Sequence, residues 1–398
     1  MFSPLVAIGL VSIASAFFTS FVSIKLEMIG APQWLIGWMG GAYYVGMLLG
    51  SHLPSKFVLR VGHIRAYAFF SSIMVVAILS QYFWNIYISW GITRFVIGYA
   101  LGAVYLVIES WLFNLASPEK KGAVIGLYTF ILYLGSFVGQ VQFRFIDLNS
   151  PAAFIIPACI VMFSLFPLSA TNTQYPKFDM HGTFNMFRIM KRAPIGAWNT
   201  LMSGLIISTS QVLLPVFLYR FGFGKEALAW LLAVPFLGAI CFQYPLGRAS
   251  DFVDRRKLMI GLHIVMMISM ACIVLFAQQI LWLGIALFAF GCMFYSIYPI
   301  AMAYTCDNFP KEQYFGVIQT LLILYGVGSI IGPILAAYCM QWFHINALFY
   351  FLGVMSFCSA VFSYLARFFP AYKIDAHKAE FVSAEPHTPI LTDPDSRM

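Results

Sequence analysis

Charge is what this chain has least of. Of 398 residues, 23 are Lys or Arg and 15 are Asp or Glu, 10% in all, against about a quarter in an average soluble protein. A domain folded in water with so few charges would have a largely apolar surface. Soluble enzymes, nucleic-acid binders and disordered proteins are therefore excluded. Seven cysteines (Cys159, Cys241, Cys272, Cys292, Cys306, Cys339, Cys358) lie scattered, without a CxxC pair or a histidine-rich cluster. That pattern fits neither a disulfide framework nor a metal site, and a thiol buried in a helix behaves as a small hydrophobe. No G-x-x-x-x-G-K-[ST] loop is present to cradle a nucleotide. His263 is the one histidine well inside an apolar stretch and has no acid near it in sequence, so the clusters an embedded enzyme needs are missing. What is abundant is apolar: 61% hydrophobic and 18% aromatic residues, with a mean hydropathy of +0.84. This is an integral membrane protein.

A spanning helix takes about 20 apolar residues, and the chain offers twelve such runs: 4–25, 32–54, 66–83, 86–113, 122–143, 151–170, 194–219, 226–247, 257–277, 280–305, 313–340 and 345–366. Ala14-Ser15-Ala16 mimics a cleavage site, but no basic segment precedes the first run, which reads as an uncleaved helix. With both termini cytoplasmic, eighteen of the 23 cations fall on the cytoplasmic side and four, Lys25, Arg144, Arg220 and Lys225, on the other, with Arg94 inside a span. That asymmetry is the positive-inside signal, and it accounts for the formal charge of +8 without nucleic acid.

The chain also repeats itself. Trp38 and Trp230, Arg65 and Lys257, Pro118 and Pro310, and Tyr133 and Tyr325 each lie 192 residues apart. Gly135-Ser136-x-x-Gly139 matches Gly328-Ser329-x-x-Gly332 at an offset of 193. Since 192 residues hold six spans, an even number, the two copies share orientation. The fold class is thus an all-α membrane protein of two parallel six-helix bundles. Its expected parts are bundles at 1–170 and 194–366, a cytoplasmic linker at 171–193 and a disordered cytoplasmic tail at 367–398.

The loop Gly247-Arg248-Ala249-Ser250-Asp251-Phe252-Val253-Asp254-Arg255-Arg256-Lys257 resembles the G-x-x-x-D-x-x-G-R-R motif of the major facilitator superfamily, and Arg94-Phe95-Val96-Ile97-Gly98 resembles its R-x-x-x-G motif. Segments 94–110, 133–140, 244–251, 298–304 and 328–333 are similar to the bacterial YcaD-like branch. Two departures bear on any gate: Leu59 stands where the first-half loop has an acid, and Asp254 where Gly is usual. Gly332-Pro333 resembles an antiporter signature but lies on the eleventh span, while the fifth carries Gln140 in place of the proline.

Two charges stand inside the apolar spans, Arg94 and Glu109, both on the fourth. Arg94, Gly98, Gly102, Tyr105 and Glu109 share one face of that helix. The two charges are 15 residues apart, about 22 Å of rise, and cannot pair. Arg94 either handles a substrate carboxylate or a proton, or fixes the bundle through neighbouring carbonyls and hydroxyls. Trp90 and Trp111, near opposite ends of that span, read as interface anchors. Gln211, Gln319, Tyr325, Tyr128 and Tyr44 are the further candidates for substrate or proton coupling. The resemblance implies a cytoplasmic gate of Arg60, Gly62, Arg65, Glu109, Gly247, Asp251, Asp254, Arg255, Arg256 and Lys257, with Glu109 pairing to the Arg60–Arg65 loop or relaying a proton. Topology alone also requires the basic members of that set.

The reading that joins these features is a secondary transporter working by alternating access, proton-coupled, for a small organic solute. An anionic or zwitterionic metabolite or a metal chelator fits the lone cation. Efflux of amphipathic compounds by proton antiport, and a non-transporting receptor on the same fold, stay open. No catalytic residue, cofactor or metal is expected; the partners are the solute and the lipid bilayer. The expected state is a monomer in a bacterial inner membrane.

Overall fold

The computed structural model describes residues 2–84, 86–115, 121–169, 186–310 and 313–366. The expected tail, most of the linker, and Pro118 of the repeat lie outside these residues. The first half contains α1 (Phe2–Met28), α2 (Gln33–Gly50), α3 (Ser55–Val61), α4 (His63–Phe83), α5 (Tyr87–Leu115), α6 (Lys121–Val141), α7 (Ala152–Phe163) and α8 (Leu165–Ser169). After α9 (Met186–Arg192) come α10 (Pro194–Arg220), α11 (Lys225–Phe252), α12 (Arg255–Leu275), α13 (Ile280–Cys306), α14 (Tyr314–Trp342) and α15 (Ala347–Leu365).

Among the described residues eleven helical spans are long and apolar enough to cross a membrane, α7 and α8 together forming one. The expected span at 32–54 is a helix too, but α2 holds five glycines, two tyrosines and 18 residues in all, and it falls short on hydropathy. Its surroundings explain why: α2 is wedged between α5 and α14, so its composition serves close packing more than contact with lipid. Residues 55–61, expected as loop, form α3, and Gly62 turns the chain from α3 into α4 at φ 86°, a left-handed conformation that favours glycine.

The duplication reappears as matched packing. α1 lies on α6 as α10 lies on α14, α2 on α5 as α11 on α13, and α4 on α5 as α12 on α13. The halves meet where α2 packs on α14, α6 on α11 and α1 on α10. α1 and α10 are apolar all round because they are enclosed by other helices; Phe17, Phe21, Val216 and Phe217 have no exposed surface. The anchor reading of two tryptophans is corrected. Trp90 and Trp111 are 3% and 1% exposed, because this stretch of α5 is interior; the Trp90 indole donates to the Trp84 carbonyl at 3.0 Å.

Candidate functional site

Arg94 owes its position to a glycine one turn on. A methyl group on Gly98 would collide with the backbone carbonyl of Tyr43, so α5 approaches α2 closely only because Gly98 has none. One turn away the Arg94 guanidinium lies over the Tyr43 ring, 4.2 Å from its centre. Arg94 is 2% exposed; its Nε and Nη1 have no hydrogen-bond partner, and no acid among the described residues lies within ion-pair distance. A buried charge is normally neutralised or paired. Here the ring face supplies about 2 kcal/mol of attraction, far from full compensation.

Beside this pair is a cavity of about 80 Å³ lined by α1, α2, α5, α6, α10, α11 and α13, and therefore by both halves. One wall carries the hydroxyls of Ser15, Thr19 and Ser20, another the amides of Gln140 and Gln211, and a third the rings of Phe236, Phe294 and Tyr295. Tyr43 lines it and Arg94 stands one layer behind. The lining contains no Asp, Glu, Lys or Arg. Tyr44 donates to Gln211 Oε1 at 2.9 Å, a bond between the halves. Pro215, also in the lining, has no N–H to give the Gln211 carbonyl one turn earlier.

The six residues expected at the substrate or proton site thus divide. Gln211 lines the cavity, Tyr44 orients it, and Arg94 lies behind Tyr43. Tyr325 packs edge-on against Tyr298 at 5.3 Å and lines a second cleft, of about 20 Å³, with Tyr44 and Ser329. Tyr128 belongs elsewhere, donating to Glu109 Oε1 at 2.6 Å. Gln319 lines neither cavity; it sits six residues before Tyr325, about 9 Å nearer the basic face of the molecule. Ser15, Thr19, Ser136 and Gln140 were the lining that sequence reasoning did not assign to a site. Gln140 carried a signal, as an amide where the family's proline was expected.

The charged ends are arranged differently from the gate expected in sequence. Arg60 and Arg65 are exposed, and neither is within ion-pair distance of an acid among the described residues. Glu109 is 1% exposed, bonded to Tyr128 of its own half. Arg255, 3% exposed, is clasped inside the second half: Asp251 at 2.7 Å and both oxygens of Asp307 at 2.9 Å. Asp307 was missed because it lies 52 residues from Arg255, outside the motif. Asp254 caps α12, accepting from the backbone N–H groups of Arg256 and Lys257 at 2.9 and 3.4 Å. The side chains of Arg256 and Lys257 are half-buried and exposed, and Gly247 is buried with its carbonyl accepting from Ser250.

Three ion pairs between the halves lie on the opposite face. Glu27 of α1 accepts from Arg220 Nε at 2.5 Å and Nη2 at 3.3 Å, and from Gln33 Nε2 at 2.6 Å. The backbone of Gln33 in turn donates to Gln341 Oε1 of α14 at 2.8 Å. Arg144 meets Glu226 at 2.9 Å and Lys225 meets Asp147 at 3.7 Å. Lys25, the last of the four cations counted on this face, bonds Asn149 Oδ1 at 3.1 Å.

Residues 196–393 match the family model described as Major Facilitator Superfamily, and residues 5–170 match Sugar (and other) transporter. The chain is 26% identical over 351 residues to the uncharacterized MFS-type transporter YcaD of Escherichia fergusonii, covering 87% of this chain and 91% of the relative. It is 27% identical over 354 residues to YcaD of Escherichia coli O17:K52:H18, with the same coverage. Among solved structures it is similar to the nucleoside transporter NupG (TM-score 0.76, 12% identity, 92% of this chain and 98% of that one). It is also similar to a D-xylose-proton symporter (TM-score 0.74, 14% identity, 94% and 98%).

Proposed function

The chain belongs to the major facilitator superfamily and is a secondary transporter, and we propose that its solute is a small organic anion or zwitterion held in the cavity between the halves. The observation that carries this reading is the Arg94 guanidinium, buried, without an acid in ion-pair distance among the described residues, and with two N–H-bearing nitrogens unpartnered. A carboxylate on the cavity side of the Tyr43 ring would lie roughly 8 Å from that charge. At an effective dielectric of about 20 the attraction is about 2 kcal/mol, near thirtyfold in affinity. Rotation of Tyr43 would bring the two into direct contact and raise the gain.

Driving force comes, in this proposal, from a proton gradient, with Glu109 the acid inside the spans. The basic loops face the cytoplasm, as the 18-to-4 distribution of cations supports, and the enterobacterial relatives support a bacterial inner membrane with both termini inside. We take the working unit to be a monomer, with bundles 1–170 and 194–366 rocking about the cavity. The cluster of Arg255, Asp251 and Asp307 then braces the cytoplasmic end of the second bundle, with Arg60, Gly62, Arg65, Gly247, Asp254, Arg256 and Lys257 at the helix ends and turns of the cytoplasmic face. Nothing in this reading calls for a cofactor or a metal.

Amphipathic export is the second reading, and the rings of Phe236, Phe294 and Tyr295 favour it. Thermal-shift measurements on purified protein, with panels of carboxylates, amines and lipophilic cations, separate the two. Carboxylates should stabilise the wild type, and Arg94→Gln should weaken their binding about thirtyfold. Stabilisation by lipophilic cations alone, unaffected by Arg94→Gln, would refute the anion reading.

A further inference from the structure

The two amides that line the central cavity are oriented by bonds on their far sides, and this fixes what each offers a solute. Gln140 Nε2 donates to the backbone carbonyl of Ala16 at 3.1 Å. Its Oε1 therefore remains as the acceptor; it is buried and has no partner, in a residue 4% exposed. Gln211 is the reverse case. Its Oε1 is taken by the Tyr44 hydroxyl, which leaves the Nε2 donors. Gln211 keeps some exposure while residues 202–210 and 212–218 of its helix are buried, and the cavity it lines accounts for that exposure.

The hydroxyls around them are less free. Ser210 donates to the Ile206 carbonyl at 2.8 Å and Ser15 to the Ser12 carbonyl at 3.3 Å, each within its own helix. The lining thus holds an amide of the first half whose acceptor oxygen is buried and unfilled, and an amide of the second half whose donors are left over, with the rings of Phe236 and Tyr295 beside them. A buried acceptor left unpartnered is costly, and a solute group that fills it recovers that cost on binding.

We propose that Gln140 is a specificity-determining residue: its Oε1 selects solutes bearing an N–H or O–H donor, while Gln211 Nε2 takes an acceptor of the same molecule. The substrate class is then an aromatic or other flat organic acid with a hydroxyl or N–H remote from its carboxylate. This rests on the reading of the cavity as an anion site. Gln140 belongs to α6 and Gln211 to α10, so a solute that satisfies both is held by both halves at once. Sites built to bond a substrate hydroxyl or N–H discriminate strongly against analogues lacking it, because the protein group is then left unpaired.

The test uses purified full-length protein and two matched probe pairs: 4-hydroxyphenylacetate with 4-methoxyphenylacetate, and indole-3-acetate with its 1-methyl analogue. Dissociation constants are read by thermal shift and by quenching of intrinsic fluorescence. In the wild type the donor-bearing member of each pair should bind about tenfold tighter or more. Gln140→Met should bring the two members to equal affinity. Gln211→Met should weaken both equally and keep the discrimination. Equal binding of both members to the wild type, or discrimination that survives Gln140→Met, overturns the proposal while leaving the anion site standing. Failure of all four carboxylates to bind overturns the anion reading and this inference together. The wild-type comparison alone is decisive if Gln140→Met does not fold.

Discussion

Replacing Glu27 with glutamine should loosen the face opposite the basic loops, and the size of the effect follows from what Glu27 holds. Its carboxylate receives two N–H groups from Arg220 of the other half and one from Gln33. The Glu27 side chain is 13% exposed and that of Arg220 38%. Charge-assisted bonds of this kind contribute about 1.5–3 kcal/mol when shielded; the exposure of Arg220 reduces this to about 1–2 kcal/mol. Glutamine keeps the shape but not the charge, so the balance between closed and open forms of this face should shift about five- to thirtyfold toward open. The neighbouring pair Arg144–Glu226 is 44% and 70% exposed, which puts it at about 0.5 kcal/mol or less. Glu226→Gln is therefore an internal control. Spin labels at Trp84→Cys and Phe343→Cys, both exposed and on opposite halves of this face, would report the separation by pulsed electron resonance, in a background lacking the seven native cysteines. Glu27→Gln should move population to longer distances and Glu226→Gln should not. Unchanged distances in Glu27→Gln, or equal shifts in both variants, would refute the reasoning.

Gly98→Ala places a methyl group against the Tyr43 carbonyl and should cost about 1–3 kcal/mol. Gly353→Ala, where nothing lies within 4 Å, should leave the melting temperature unchanged. Asp307→Asn removes the charge that meets Arg255 with both oxygens; with Asp251 still in place, about 2 kcal/mol of stability should be lost, read as a lower melting temperature. Tyr44→Phe deletes the bond to Gln211 between the halves and should weaken solute binding about fivefold, measured against the same carboxylate panel as Arg94→Gln.

The fold was legible because it is written in long-wavelength features: apolar runs of bilayer length, the sidedness of Lys and Arg, and a period of 192. The second helix shows the limit of that reading, since five glycines lower its hydropathy for the sake of packing on α5 and α14. The site was legible only in part. Arg94 stood out because a lone cation in an apolar run is costly wherever it lies. That Tyr43 covers it, and that Gln140 lines the cavity with its amide oxygen unpartnered, depends on helix rotation, to which hydropathy is blind. The expected gate met a related limit. The loops richest in charge also answer to topology, while on the opposite face Arg144, Arg220 and Lys225 join the halves, through partners as far off as 193 residues.

The pair of Glu27 and Arg220 also says something about how the two halves differ. The helices that carry it superpose at the offset of 192, α1 (Phe2–Met28) on α10 (Pro194–Arg220). At that offset Glu27 corresponds to Tyr219 and Arg220 to Met28, so neither charge has a charged counterpart in the other copy. In a symmetric pair of identical six-helix subunits every contact between them would be made by residues present in both. The clasp between Glu27 and Arg220 uses instead one residue peculiar to each copy, and so depends on what the two halves do not share.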